Sequence, residues 1–316
     1  MDGFQMKKTL GICNTVYNNG MEIIPDYEIN ELIQEGGKLY DEVLLINPLK
    51  IDYIFGGPHG CPEIRYKNLL LNNLTTLLVR NTRMNEAPIA LLANTLHLCG
   101  CDIIDPINRF TGAPAGKLQQ LVKGFQESTI PETMVVFNKN HGIHIIETQE
   151  KELPFPLIAK PENGCQGRDV KMVCNIDELR KYFMEFYSEK TNETTIVLLQ
   201  RYVEVKDEYR VILIEGVCLG LCKKIKNKDA IAANAAQGGI FVKDENSEIL
   251  DFTVKHASKR GILGIDIIRD HSGRLYFLES NRSPQWKEFQ KASGINVAKA
   301  IIEYAYDRAK HANDLF

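Results

Sequence analysis

The sequence lacks the features of several common classes of protein. Its 316 residues contain no uninterrupted apolar segment approaching the roughly 18 residues that a membrane-spanning helix needs. The first residues, MDGFQMKKTLGIC, have no long apolar stretch of the kind found in signal peptides. A formal net charge of −3 gives no electrostatic reason to expect nucleic acid as a partner. We therefore expect neither a membrane protein nor a nucleic-acid-binding protein.

The cysteines also lack a recognisable pattern. There are eight, and none belongs to a Cys-x-x-Cys pair, which argues against a zinc site or a disulfide scaffold. Several lie within apolar runs, where a reduced thiol packs as a small hydrophobic group. A reducing, cytoplasmic environment is the expected one.

The stretch LIAKPENGCQGRDV (157–170) resembles a phosphate-binding loop but fits neither of the two common types. A P-loop places its lysine after the glycines, whereas Lys160 precedes Gly164 and Gly167. A dinucleotide-binding loop needs a third glycine before a helix, and it is missing here. The loop alone therefore does not identify a ligand.

The chain divides into three segments by its pattern of apolar residues. Residues 1–106 alternate strand-like runs (TLGICN, EVLLIN, IDYIFGG, TTLLVR) with helical ones, which predicts an α/β domain with a largely parallel sheet. A loop rich in Gly, Pro and Asn follows, and residues 107–192 contain predicted helices in KLQQLVKGFQ and DELRKYFMEFYSEK. Residues 193–316 are mostly strands, with a final helix in NVAKAIIEYAYDRAKH.

The segment LGIDIIRDHSGRLYFLESNRSP (263–284) predicts a β-hairpin that carries two acids and an amide. With the turn centred between Ser272 and Gly273, Asp266 faces Glu279 directly, and Asn281 shares the face of Glu279. Opposed carboxylates are unfavourable unless a cation lies between them, and oxygen ligands suit magnesium or manganese. The alternative is that all three side chains face solvent on an amphipathic hairpin.

A second predicted hairpin, EYRVILIEGVCLGLCKK, has Glu215-Gly216 as its turn. This pairing places Glu208 opposite Lys223, with Arg210 on the same face. Cations there would hold phosphate oxygens, and the alternative is a surface salt bridge. A register error of one residue would exchange Lys223 for Lys224.

The order of these motifs resembles that of the ATP-grasp ligases, and the RimK-like branch in particular. The resemblance covers roughly residues 100–305. It implies an α/β N-terminal domain (1–106) followed by an α+β ATP-grasp fold, in which two subdomains (107–192 and 193–316) clamp ATP. The motifs that carry it are, in order, Lys117, AKPENGCQGRDV, LLQRYV, EYR, KK, NAAQGG, GIDII and FLESNRSP.

The resemblance also implies roles for individual residues. Lys117 and Lys160 would contact the nucleotide phosphates, and Gly164 and Gly167 would belong to the lid loop. The adenine slot would be lined by Gln200, Arg201, Tyr202 and Val203, and the ribose would be bound by Glu208. The groups that face the transferred phosphate would be Arg210, Lys223 and Asn234. The metal ligands would be Asp266, Glu279 and Asn281.

The implied reaction is ATP-dependent ligation of a carboxylate to an amine through an acyl phosphate, with release of ADP and phosphate. ATP and Mg²⁺ (or Mn²⁺) would be required, and the ligase would act on a peptide, a protein tail or a small metabolite. Two alternatives remain open: a peptide macrocyclase that makes side-chain ester or amide crosslinks, and an ATP-binding module or kinase without ligation. Related ligases are often dimers or tetramers, so the resemblance raises a homo-oligomer as one expectation.

Some residues depart from the RimK pattern or lie outside it. Gln237 stands where that branch tends to have arginine, and Gln285-Trp286 is reminiscent of peptide-cyclising ligases. Trp286 could pack in the core or shape the acceptor pocket. In the N-terminal domain, the candidate contacts for an anionic substrate are Arg65, Lys67, Arg80 and Arg83, with ordinary surface cations as the alternative.

Overall fold

A computed structural model describes most of the chain. The described residues are 7–14, 24–56, 62–80, 86–110, 117–127, 129–149, 153–162, 170–188, 195–225 and 240–313. Within these ranges, no helix combines the length and the apolar character needed to cross a membrane.

The N-terminal part contains the predicted parallel sheet. Its four strands lie in the order β2-β1-β6-β7, and all adjacent pairs are parallel. β1 and β6 are buried along nearly their whole length, as expected for strands covered on both faces. The elements are β1 (Thr9–Asn14), α1 (Tyr27–Gly36), β2 (Glu42–Ile46), β6 (Thr76–Arg80), α2 (Glu86–Leu98) and β7 (Asp102–Ile104).

Ile51–Ile54, the first residues of the run IDYIFGG, form a strand, but the expectation that this strand continues the α/β alternation is wrong. It belongs to a separate antiparallel sheet of three strands, which are β3 (Ile51–Ile54), β4 (Glu63–Tyr66) and β5 (Leu69–Leu70). Side chains of β3 alternate between partly buried and exposed positions. Such a strand has one solvated face, which suits an antiparallel hairpin better than a covered parallel sheet.

The middle part of the chain forms an antiparallel sheet of four strands in the order β10-β9-β11-β8. Apolar side chains of its helices and strands build one core around Phe183, Leu157 and Val197. The elements are α3 (Lys117–Gln126), β8 (Thr133–Val136), α4 (Lys139–Gln149), β9 (Leu157–Pro161), β10 (Lys171–Val173), α5 (Ile176–Ser188) and β11 (Val197–Arg201).

The last part forms an antiparallel sheet of five strands in the order β14-β13-β12-β15-β16. Both predicted hairpins are present, and Glu215 and Gly216 make the two-residue turn with φ of 50° and 78°. The elements are β12 (Val205–Ile214), β13 (Val217–Ile225), β14 (Ile240–Asp244), α6 (Ser247–His256), β15 (Ile262–Asp270), β16 (Leu275–Asn281), α7 (Lys287–Ser293) and α8 (Val297–Asn313).

Trp286 belongs to a core that joins the two ends of the chain. It is fully buried together with Leu10 and Ile12 of β1 and with apolar residues of α7 and α8. The carboxylate of Glu28 on α1 accepts hydrogen bonds from the backbone N–H groups of Trp286 (3.0 Å) and Lys287 (3.2 Å). Of the two alternatives for this tryptophan, the structure therefore supports packing in the core.

The candidate substrate contacts of the N-terminal domain have other partners. Arg80 is buried, donates to the carbonyl of Pro284 (2.9 Å) and stacks on the Trp286 ring at 4.8 Å. Arg65 forms an ion pair with Glu63, and Lys67 lies over the ring of Tyr66. Arg83 lies outside the described residues.

Replacing Trp286 by alanine tests its place in this shared core. Removing a large, fully buried side chain should lower the free energy of unfolding by about 3–5 kcal/mol, measured by urea denaturation. Phe125 is 79% exposed on α3, so Phe125→Ala is the matched control and should change the free energy by less than about 0.5 kcal/mol. Equal losses in the two variants would contradict the core assignment.

Candidate active site

The two predicted carboxylates lie directly opposite one another, Asp266 on β15 and Glu279 on β16. This register results from two offsets that cancel. Between Ile267 and Arg269, each residue of β15 pairs with the β16 residue one position nearer the turn than the predicted turn centre would give. Leu278 is then an additional residue in β16, and this β-bulge restores the predicted pairing at Asp266.

Asn281 follows Glu279 by two residues on β16, and the two side chains meet on one face of the strand, as predicted. Its amide nitrogen donates to a carboxylate oxygen of Glu279 at 2.6 Å. This leaves Asn281 Oδ1 as the amide atom able to bind a cation. The pair thus presents oxygen ligands from one strand.

Asp266 lies at the centre of a buried ionic network. Arg210, its cross-strand neighbour on β12, donates to both carboxylate oxygens, with 2.8 Å between Nη2 and Oδ2. Lys224 Nζ lies 2.8 Å from Asp266 Oδ1 and 2.8 Å from Glu208 Oε1. Burial alone would raise the pKa of Asp266, but the two cations outweigh burial and lower it to about 2. Asp266 is therefore ionised at neutral pH.

The prediction that Lys223 faces Glu208 is wrong, and Lys224 takes that position. The register of β12 and β13 shifts between Ile212 and Leu213, because Leu219 is an additional residue in β13. Lys223 consequently pairs with Tyr209, and its side chain is 40% exposed and bound to Asp207. The Lys224 side chain, in contrast, is 1% exposed.

Lys160, near the end of β9, is influenced by the charges of Glu279 and Lys117. Its Nζ donates to Gln200 Oε1 at 2.9 Å, and Gln200 donates in turn to Thr133. Desolvation lowers the pKa of Lys160 to about 8, although the Glu279 carboxylate acts in the opposite direction. The pKa of Lys160 is thus sensitive to charge at the neighbouring β15–β16 hairpin.

Lys117, the other predicted phosphate contact, links α3 to the same strand end. Its Nζ donates to the carbonyl oxygens of Pro161 (3.0 Å) and Glu162 (2.8 Å). In this structure Lys117 therefore binds the backbone just before the predicted lid segment.

The predicted adenine slot borders a cavity of about 480 Å³. The backbone N–H groups of Arg201 and Tyr202 donate to the carbonyls of Glu132 and Pro156, so those two donors are already used by the fold. Arg201, Tyr202 and Val203 line the cavity, with the β15–β16 turn on its other side. Gln200, the fourth residue of the predicted slot, is buried and accepts a hydrogen bond from Lys160.

Three predicted site residues lie outside the described residues: Gly164, Gly167 and Asn234. Gln237 and Cys165 also lie there. Their roles stay predictions.

The residues present fit a divalent cation that prefers oxygen ligands. Glu279 and Asn281 offer such oxygens side by side, and Asp266 retains a lone pair on Oδ2 beyond its bond to Arg210. Among the described residues, no three His, Cys, Asp or Glu side chains cluster as metal ligands would. The donor set is two carboxylates and an amide, which suits magnesium or manganese rather than zinc.

Comparison with solved structures identifies the fold. The chain has a TM-score of 0.67 to the ATP-grasp ligase PsnB complexed with minimal precursor, Mg and ADP, at 12% identity, covering 95% of this chain and 97% of that one. The RimK domain protein from Sphaerobacter thermophilus matches with a TM-score of 0.63 at 16% identity, and the match covers 94% of this chain and 99% of that one. The fold is that of the ATP-grasp ligases.

The family follows from the sequence comparison. The model of the RimK-like ATP-grasp domain matches residues 117–305, so the chain belongs to that family. An α-aminoadipate–LysW ligase of Saccharolobus solfataricus is 25% identical over 91% of this chain and 100% of its own length. A probable α-L-glutamate ligase of Legionella pneumophila is 30% identical over 49% of this chain and 51% of its own length. The chain is an ATP-dependent carbon–nitrogen ligase that joins a carboxylate to an amine.

The two adjacent lysines of β13 should respond differently to the same substitution. Lys224→Met leaves buried carboxylates short of a cation, so we expect the free energy of unfolding to fall by about 3–5 kcal/mol. Lys223→Met removes an exposed ion pair and should cost less than about 1 kcal/mol. Urea denaturation of both variants measures this, and a larger loss for Lys223→Met would contradict the observed register.

Nucleotide affinity should depend on pH through Lys160. Its pKa of about 8 lies below that of an ordinary lysine, so the side chain loses its charge as the pH rises through that value. If it binds phosphate, the affinity for ATP in EDTA should be constant below about pH 7 and about tenfold lower at about pH 9.

Lys160→Arg is the matched control for this pH dependence. Because arginine keeps its charge over this range, titration calorimetry should show an affinity that changes little with pH. The same decline in both proteins would mean that Lys160 is not the titrating group.

Proposed function

We propose that this ligase activates a carboxylate borne on a peptide or protein, and then joins it to the amine of a small molecule. The carboxylate would attack the γ-phosphate of ATP to form an acyl phosphate and ADP. The amine would then displace phosphate. The observation that carries the proposal is the Arg210–Asp266–Lys224 network beside Glu279 and Asn281.

The first step requires two anions to approach each other, so its main barrier is electrostatic. Arg210 and Lys224 are held by Asp266 and cannot turn away from the site without breaking buried ion pairs. Lys160 and Lys117 would contact the phosphates from β9 and α3. Cations fixed in this way need little reorganisation when charge moves toward the leaving ADP.

A bound divalent cation would neutralise phosphate charge, and Glu279, Asn281 and Asp266 are the side chains that would hold it. In this proposal, Glu208 contacts the ribose, and Gln200 to Val203 border the adenine. Asn234 would face the transferred phosphate. Lys224 replaces Lys223 in the proposed set, because it is the lysine on the face of Asp266.

Water must be kept from the acyl phosphate, because the intermediate hydrolyses. We assign this role to the segment that contains Gly164 and Gly167, which belongs to the first of the two proposed halves of the clamp, 107–192 and 193–316. Backbone N–H groups near glycine approach phosphates closely because no Cβ interferes.

Two relatives support a substrate on a peptide or protein. The Saccharolobus solfataricus relative is named for joining α-aminoadipate to LysW, and PsnB has been solved with a precursor peptide. Trp286 is buried in the core, so in this proposal it does not line the acceptor pocket.

The proposal predicts ADP and phosphate as products. With ATP, Mg²⁺ and a panel of carboxylate peptides, hydroxylamine should trap the acyl phosphate as a hydroxamate, detected by mass spectrometry. Glu279→Gln should lower ADP formation by about 100-fold, because a metal ligand is lost. Glu303→Gln, an exposed substitution on α8, is the matched control and should leave the rate unchanged.

Other product patterns would contradict the proposal. AMP and pyrophosphate would exclude an acyl phosphate. A peptide that loses water and becomes crosslinked without added amine would indicate a macrocyclase. Nucleotide binding without metal-dependent ADP formation for the whole panel would indicate a module without ligase activity.

A further inference from the structure

The strand that carries Glu279 and Asn281 is at the edge of its sheet. Among the strands that the structure describes, β16 pairs only with β15, because it is the last strand in the order β14-β13-β12-β15-β16. An edge strand leaves backbone N–H and C=O groups without a strand partner. On β16, groups from α3 and from the chain after it bind this open edge.

Gln120 makes two of these contacts, and both are with one residue. Its Nε2 donates to the carbonyl of Ser280 at 3.0 Å, and its Oε1 accepts from the backbone N–H of Ser280 at 2.9 Å. The side-chain amide thus acts as a neighbouring strand would. Further along, the carbonyl of Thr129 accepts from the N–H of Phe277 at 2.7 Å.

Ser280 is the residue between Glu279 and Asn281. Its N–H belongs to the peptide group shared with Glu279, and its C=O belongs to the peptide group shared with Asn281. Fixing both planes restricts ψ of Glu279 and φ of Asn281, and therefore the direction in which each side chain leaves the strand. The bulge at Leu278 interrupts the ladder just before Glu279, so the contact with Gln120 adds a second constraint next to this irregularity.

Gln120 follows Lys117 by three residues, so the two side chains lie on the same face of α3. Lys117 binds the carbonyls of Pro161 and Glu162 at the end of β9. The helix therefore connects the strand of Lys160 with the strand of the proposed metal ligands.

We propose that Gln120 is a positioning residue for the metal site, which aligns Glu279 and Asn281 through the backbone of Ser280. The inference rests on the proposed metal role of those two residues. It extends that role to a residue that would not touch ATP, metal or substrate. Partners of metal ligands of this kind commonly change metal affinity when they are removed.

The test compares nucleotide affinity with and without metal. Titration calorimetry with the β,γ-imido analogue of ATP gives one dissociation constant in EDTA and another in Mg²⁺, and their ratio is the metal-dependent gain. Gln120→Met keeps the size of the side chain but loses both hydrogen bonds, and Gln120→Asn keeps the amide but is too short to reach Ser280. Both should lower the gain by about tenfold.

The affinity in EDTA should stay within about twofold of the unmodified protein, since the gain alone depends on the metal. Gln119 is the adjacent residue of the same type and is exposed, so Gln119→Met and Gln119→Asn are matched controls that should leave both constants unchanged. Thermal unfolding of all variants shows whether they are folded.

Glu279→Gln separates failure of this inference from failure of the proposed function. If Glu279→Gln abolishes the gain but neither Gln120 variant changes it, Gln120 only covers the sheet edge and the positioning role is refuted. If Glu279→Gln leaves the gain intact, the metal assignment itself is wrong, and the inference falls with it. A loss of affinity in EDTA as large as the loss in Mg²⁺ would also refute a role specific to the metal.

Discussion

The structure of the site depends on how the charge of Asp266 is neutralised in the interior of the five-stranded sheet. Arg210 and Lys224 surround this carboxylate from β12 and β13, and Lys224 also binds Glu208. Removing one partner of a buried ion pair leaves an uncompensated charge and costs about 3–5 kcal/mol. The register of three strands is therefore tied to these contacts. Because Asp266 is already neutralised, Glu279 can lie opposite it without severe repulsion before any metal binds.

The hairpin of Asp266 and Glu279 is held from outside its own sheet as well. Beyond Asn281, the chain is bound by the N-terminal domain, where Arg80 and Glu28 contact Pro284 and Trp286, and Arg282 forms an ion pair with Asp105. α8 packs with β1 in the same core as Trp286. The N-terminal part of the chain thus supports the proposed active site. A rigid support matters because acyl transfer requires reacting groups to be placed within a fraction of an ångström.

Much of this could be predicted from the sequence, and the failures have specific causes. Apolar periodicity was sufficient for most strands and helices, but it could not assign IDYIFGG to its sheet. Turn chemistry located Glu215-Gly216 correctly, yet a bulge at Leu219 moved Lys223 off the expected face. A bulge at Leu278 had the opposite effect and made the Asp266–Glu279 pairing correct. Bulges depend on packing between strands, and no local signal marks them. Gln120 was missed for a related reason, since its partner is a backbone group 160 residues away.

A crystal structure with Mg²⁺ and the β,γ-imido analogue of ATP is the most direct test of the central claim, which is that a preformed ionic network carries the metal site. We expect the metal to bind Glu279, Asn281 and Asp266, with Arg210 still paired to Asp266 and Lys224 still between Asp266 and Glu208. A metal bound elsewhere, with Glu279 and Asn281 free of it, would contradict this claim. So would a rearranged network in which Arg210 has left Asp266.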